Sequence, residues 1–210
     1  MHIPDGFLAP TLTLPAYAAA APLWAWAVRK HFGPSQVEAL PAIGALTAVA
    51  FVLQTLMIPV PGGTSTHLVG ASLLALLRGP LVAFVCESLV LLVQALFFGA
   101  GGITVLGVNA LAMGLAGPAM AWLLWKALGR WAPRAGAFVA AYAGMQVSTA
   151  AIALALGIQN ALSPAQFPTP WPVMAAAMFL PSLTVAGVAE GLFTAIAFGL
   201  LSRMRDRLQP

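Results

Sequence analysis

Long apolar segments separated by short breaks dominate the hydrophobic pattern of this chain. Few charged residues interrupt the segments, and glycine, proline and basic residues lie between them. A helix that crosses a bilayer needs about 20 apolar residues, each adding about 1.5 Å. The pattern therefore predicts an all-α integral membrane protein with seven membrane-spanning helices, at residues 7–28, 38–58, 67–77, 80–98, 105–128, 135–156 and 171–201.

The third of these segments is too short to cross a bilayer alone. Its 11 residues would extend over about 16 Å as a helix, roughly half of the hydrocarbon thickness. Two interpretations are open. The residues before it could lengthen the helix, or it could be a half-helix that lines a cavity enclosed by protein, where irregular backbone is tolerated.

Basic residues fall on one side of this seven-span arrangement. They follow the first, third, fifth and seventh segments, whereas the connections at 59–66, 99–104 and 157–170 contain no charged residue. By the positive-inside rule the basic side is cytoplasmic, so we expect the N-terminus outside and the C-terminus inside. The residues concerned are Arg29, Lys30, Arg78, Lys126, Arg130, Arg134, Arg203, Arg205 and Arg207.

Composition supports the membrane assignment and excludes a water-soluble class. Of the 210 residues, 61% are hydrophobic and only 7% are charged, against about 25% charged residues in soluble domains. The net charge of +4 would suggest nucleic-acid binding in a soluble chain. Here the basic residues follow the pattern of topology signals, so we expect the partner to be membrane lipid and not nucleic acid. We therefore predict a multi-pass protein of the cell membrane that forms a single transmembrane domain over residues 1–210.

The N-terminal tip, MHIPDGFL, carries a candidate metal site. The α-amino group of Met1, with an ordinary pKa of about 7.7 to 8.0, the amide nitrogen of His2 and the Nδ1 atom of His2 can close two fused chelate rings around one ion. His67 starts the third segment on the same predicted face. A fourth nitrogen from His67 would complete a square, which favours Ni²⁺ or Cu²⁺ over Zn²⁺ or Mg²⁺. Alternatively, His2 is incidental and His67 is a polar helix cap.

Four polar residues inside the predicted spans are further candidates. At about 1.5 Å per residue, Glu87 lies about 10 Å and Glu190 about 16 Å from the predicted cytoplasmic ends, in the inner half and away from His67. This depth favours hydrogen bonds between helices, or contact with a partner protein, over metal ligation. Gln94 and Asn109 lie nearer the outer face, where their amides would either orient the histidine rings or make ordinary hydrogen bonds between helices.

Four motifs, spread in order over almost the whole chain, make it resemble a known family. MHIPDGFL, GGTSTHL, GGITVLGVNALAMG and GVAEGLFT are similar to the CbiM/NikM family, the substrate-binding integral membrane component of energy-coupling factor (ECF) transporters for cobalt and nickel. The resemblance implies a seven-helix protein whose N-terminus is inserted into an outward-facing pocket. It also implies the metal ligands: the amine of Met1, the amide and imidazole of His2, and the ring of His67.

The same resemblance implies a function and partners. The chain would bind Ni²⁺ or Co²⁺ with high affinity as a transported substrate. Its partners would be a transmembrane coupling component, two cytoplasmic ABC ATPase subunits and often a small accessory membrane subunit. The sequence contains no GxxxxGK[ST] phosphate-binding loop, so we expect no ATP binding by this chain and no catalytic activity. Square-planar chemistry favours nickel, and cobalt stays open.

Two rival functions remain at this stage. One is an ion- or proton-coupled carrier that uses Glu87 and Glu190 and in which the N-terminal tip is incidental. The other is an intramembrane enzyme, which is disfavoured because no Ser/His pair or second outer acid shares the predicted depth of His67, so no nucleophile and base are available. A carrier of the first kind predicts that uptake survives His2→Ala and fails in Glu87→Gln.

Overall fold

Prolines and glycines mark the boundaries of the helices. Pro10, Pro80 and Pro133 each occupy the first position of a helix, where the missing N–H is not needed. The computed structural model describes residues 2–60 and 64–208. In this part of the chain there are seven helices: α1 (Pro10–His31), α2 (Leu40–Thr55, preceded by a 3₁₀ turn at Pro34–Ala39), α3 (Ala71–Arg78), α4 (Pro80–Phe97), α5 (Leu106–Leu128), α6 (Pro133–Leu162) and α7 (171–208).

The predicted all-α membrane architecture is confirmed. Each of the seven predicted segments coincides with one helix, with ends that differ by up to seven residues. Five helical stretches are long and apolar enough to cross a membrane: α2 with its 3₁₀ turn, α4, α5, α6 and α7 as far as Arg203. The side of the membrane on which each terminus lies stays a prediction.

The third segment is a half-helix, which decides between the two interpretations of its length. Helix α3 has eight residues, about 12 Å at the usual rise. It follows a short antiparallel hairpin of β1 (Ile58–Val60) and β2 (Thr64–Thr66) and a non-helical stretch at residues 67–70. Gly70 and Gly79 bracket the helix with φ angles of 74° and 92°, a backbone conformation that favours glycine. The chain therefore enters the bundle as irregular backbone before α3 begins.

Small residues let the long helices approach each other closely. A Cβ atom on Gly144 of α6 would lie 2.8 Å from the carbonyl oxygen of Gly117 in α5, and one on Gly114 would lie 3.3 Å from the main chain of Phe84 in α4. Such contacts are the main source of helix association where lipid surrounds the bundle. The spacing of glycines along α5 thus serves packing within this chain.

Two helices contain π-helical turns, at Ala110–Ala116 in α5 and at Ser182–Ala186 in α7. The first begins immediately after Asn109. Such turns are frequent at functional sites, and this one lies beside the N-terminal tip. The tip itself, residues 2–9, lies against the 98–105 and 163–170 connections, because main-chain amides of the first connection and a side chain of the second donate hydrogen bonds to it. This end of the bundle holds the candidate site.

Candidate metal centre

The N-terminal tip folds into the bundle and is held there through its main chain. The amide of Ile3 donates a 2.9 Å hydrogen bond to Oδ1 of Asn109, and Nδ2 of Asn109 donates a 3.0 Å bond to the Ile3 carbonyl. Only about 1% of the surface of either residue is exposed. A buried peptide group needs a partner for its N–H and another for its C=O. The Asn109 side chain supplies both for Ile3, as a neighbouring β-strand would. It bonds to the tip's backbone, a role that the sequence did not suggest.

We expect Asn109→Ala to release the tip. The variant leaves the N–H and C=O of Ile3 without their present partners, at about 1–3 kcal/mol for each buried group. Hydrogen exchange of the N-terminal peptide, followed by mass spectrometry, should accelerate about tenfold or more, since 1.4 kcal/mol corresponds to a factor of ten. Gln146→Ala, which removes a side chain that bonds to Ser182, is the matched control. Unchanged protection of the tip in Asn109→Ala would contradict the assignment.

Asp5 fastens the turn that follows. Its carboxylate accepts hydrogen bonds from the amides of Ile103 (3.1 Å) and Thr104 (2.9 Å) and from the Thr104 hydroxyl. Burial alone would raise the pKa of Asp5, but these hydrogen bonds together lower it by more than burial raises it. The pKa of Asp5 therefore lies below its ordinary value, and the carboxylate is ionised at pH 7. Gly102 has no room for a side chain, because a Cβ would overlap the carboxylate and lie 2.5 Å from the Asp5 amide nitrogen.

Two glutamines hold the other side of the tip. Oε1 of Gln159, at the end of α6, accepts a 2.8 Å hydrogen bond from the amide of Ala9. Nε2 of Gln166, in the connection between α6 and α7, donates a 3.1 Å bond to the carbonyl of Gly6. The tip is thus fixed from both flanks, which places His2 with little freedom.

The structure brings His2 and His67 together. Their ring centroids are 5.1 Å apart and the rings are inclined by 39°, a separation at which ring nitrogens from both can bind one ion. Nδ1 of His67 lies 2.9 Å from the Leu68 carbonyl. A carbonyl only accepts, so Nδ1 carries the proton and Nε2 of the neutral ring carries the lone pair. His67 is fully buried.

Burial keeps both imidazoles neutral, the form that binds metal. It lowers the pKa of His2 to about 2, because an imidazolium is poorly solvated away from water. Gln94, which is also buried, interacts with the His2 ring and opposes this fall in pKa. Among the described residues, Nε2 of His2 and both amide atoms of Gln94 lack a hydrogen bond of normal geometry. The amide predicted to orient a ring thus lies beside that ring.

The remaining features of the predicted site are Met1, any further metal-binding side chains and the space beside the His2 ring. Met1 lies outside the described residues, so its part in the site stays a prediction. Within residues 2–60 and 64–208, no three His, Cys, Asp or Glu side chains gather as a metal cluster. A cavity of about 690 Å³ is lined by His2 and extends between Ser65, Phe98 and Met174, which connects His2 to the hairpin and to α7.

The prediction that Glu190 lies away from His67 is wrong. Its carboxylate accepts hydrogen bonds from the amides of Val69 and Gly70, two and three residues after His67. Glu87 approaches the same segment through Gln54, whose Nε2 donates both to Glu87 and to the Val69 carbonyl. The prediction placed His67 at the outer end of the third span, whereas α3 has only eight residues and residues 67–70 descend into the bundle as non-helical chain. The predicted hydrogen bonding of Glu87 between helices is confirmed.

Comparisons with known proteins give one consistent result. The family model of CbiM, the cobalt uptake substrate-specific transmembrane region, matches residues 2–208. A fused nickel transport protein of Rhodobacter capsulatus is 37% identical over 99% of this chain and 63% of its own length. A putative metal transport protein of Methanocaldococcus jannaschii is 35% identical over 99% of this chain and 94% of its own length. A crystal structure of a transition metal transporter superposes with a TM-score of 0.92 at 31% identity, covering 100% of both chains.

Proposed function

The chain belongs to the CbiM family of cobalt uptake transmembrane regions, and from that membership we propose that it captures Ni²⁺ or Co²⁺ as the binding subunit of an ATP-driven uptake system of the ECF type. It spans only 63% of the fused Rhodobacter protein, so the activity of the whole assembly is part of the proposal. The single observation that carries it is the juxtaposition of His2 and His67.

The proposed ligand set is the α-amine of Met1, the amide nitrogen and Nδ1 of His2, and Nε2 of His67. Four nitrogens in one plane suit Ni²⁺. Metal at Nδ1 of His2 leaves the proton on Nε2, and the neighbouring Gln94 offers an acceptor for it. Metal at Nε2 of His67 is matched by the Nδ1 hydrogen bond to the Leu68 carbonyl. Each ring then has a partner on the side away from the ion.

Energy for release comes, in this proposal, from two cytoplasmic ABC ATPases that act through a transmembrane coupling subunit, with a small accessory membrane subunit in some assemblies. The ion enters from outside, next to the 690 Å³ cavity, and the basic ends of the helices face the cytoplasm. Nickel is favoured by the planar nitrogen set, and cobalt is the alternative substrate.

Titration of purified protein with an unmodified Met1 tests this function. We expect one equivalent of Ni²⁺ to bind per chain, with Co²⁺ competing and Mg²⁺ having no effect, since Mg²⁺ prefers octahedral oxygen ligands. The bound nickel should be diamagnetic and show the absorption of a planar nitrogen complex. Protein that binds neither Ni²⁺ nor Co²⁺ would overturn the proposal.

A further inference from the structure

We propose that Glu190 is a positioning residue that holds the segment after His67 and thereby sets the affinity and the coordination geometry of the metal site. This inference rests on the function proposed above. It gives a role to a buried acid that the ligand set does not include.

Glu190 uses both carboxylate oxygens on two consecutive amides. Oε2 accepts from Val69 N at 2.9 Å, and Gly70 N lies 3.0 Å from Oε1 and 3.1 Å from Oε2. The carboxylate is fully buried. These two amides belong to the non-helical stretch that directly precedes α3, where no regular secondary structure supplies them with a partner. Glu190 on α7 therefore supplies the acceptors that hold this stretch in place.

Gln54 fixes the same segment from the opposite side. Its Nε2 donates a 3.0 Å hydrogen bond to the Val69 carbonyl and is itself held by Glu87 at 2.8 Å and 2.9 Å. Gly70 packs so tightly against α2 that a Cβ would lie 3.1 Å from Cα of Ala50. Side chains from two different helices thus bond to the N–H and to the C=O of Val69. These bonds hold the backbone of the segment in one conformation.

The position of Val69 determines the position of the proposed metal ligand His67. Only Leu68 separates His67 from Val69, and the carbonyl of Leu68 accepts the bond from Nδ1 of His67. A shift of Val69 therefore moves the acceptor that orients the ring and the backbone that carries it. Partners of this kind typically change metal affinity by about 10–100-fold. The contact also connects α7, which continues to the basic C-terminal end, with the metal site.

Glu190→Gln tests the proposal because it keeps the volume and changes one acceptor into a donor. An NH₂ group facing a main-chain N–H cannot bond to it, so one amide loses its partner and the segment shifts. We expect affinity for Ni²⁺ to fall about tenfold or more. The spectrum should also change from planar and diamagnetic to six-coordinate and paramagnetic, as water replaces Nε2 of His67. A role confined to stability would leave the spectrum of the bound metal unchanged.

Two matched variants isolate the effect of position from that of the substitution itself. Glu87→Gln makes the same exchange at the other fully buried acid and keeps an oxygen that accepts from Gln54, so we expect a smaller loss, within about threefold, and a planar spectrum. Glu38→Gln removes an exposed acid and should bind as the wild type does. If Glu190→Gln does not fold, Gln54→Met, which releases the Val69 carbonyl, carries the same expectation of weaker, non-planar binding.

A double-mutant cycle with His67→Gln completes the test. If Glu190 acts through His67, adding Glu190→Gln to His67→Gln should change affinity by less than about twofold, because the ligand that it positions is already absent. Equal effects of Glu190→Gln in both backgrounds, or an unchanged affinity and spectrum in the single variant, would overturn the inference alone. Wild-type protein without affinity for nickel would overturn the proposed function, and the inference with it.

Discussion

Protein carrying His67→Gln is expected to lose about 100-fold or more of its affinity for Ni²⁺, because it loses a direct ligand, whereas loss of a supporting group alone typically costs about 10–100-fold. The remaining nitrogens, all on the first two residues, would leave the other coordination positions to water. Glutamine approximates the size of imidazole and can still donate to a carbonyl, so packing around the fully buried site is disturbed less than by alanine. Isothermal titration calorimetry of the purified variant measures the loss.

His31→Gln is the control for this experiment. His31 ends α1, outside the candidate site, and its replacement should leave nickel affinity within about twofold of the wild type. Thermal unfolding without metal should show His67→Gln folded, which separates loss of a ligand from loss of structure. Retention of wild-type affinity by folded His67→Gln would remove His67 from the proposed ligand set.

A two-residue extension before Met1 should abolish tight nickel binding, again by about 100-fold or more. The proposed chelate needs the α-amine of Met1 one peptide unit from the amide of His2, and the extension converts that amine into an amide. Two added residues are preferable to one. With one, His2 becomes the third residue, and an amine, two amides and an imidazole can close a square without His67. Calorimetry and the planar nickel spectrum report the result.

The same two residues added at the C-terminus provide a control of equal length, with wild-type binding expected. A second control removes the extension with a protease that leaves Met1 as the first residue, and affinity should return. Undiminished binding by the extended protein, with the planar spectrum retained, would contradict a role for the Met1 amine. The metal site would then consist of His67 and a different set of ligands.

The helical framework could be predicted because each span is a local property of the sequence. A run of about 20 apolar residues must satisfy its backbone within the membrane as a helix. Prolines at the first helical position and glycines after the last one then fix the ends. This local reasoning placed all seven helices, with ends that differ by up to seven residues, and marked the third segment as too short. It also put His2 and His67 on one face, since alternate connections of a helical bundle share a side.

The fastening of the tip was decided only by tertiary structure. Asp5 bonds to residues almost a hundred positions away, Asn109 pairs with the main chain of Ile3, and Gln159 and Gln166 reach residues 6–9 from the far end of the chain. Asn109 and Gln94 could be selected as polar residues at the correct depth. Which atoms they contact depends on how neighbouring helices are rotated, and that rotation follows from side-chain packing.

Glu190 shows most clearly where the local pattern stops being informative. The sequence determines that an acid lies in the seventh span and that the third span is short. It does not determine that residues 67–70 descend as irregular backbone until their amides meet that acid, because unpaired amides find partners wherever the packed helices offer them. The span count and the two histidines follow from local chemistry. The contact that joins α7 to the metal site arises only when the helices assemble, since its two halves are 120 residues apart and neither half specifies the other.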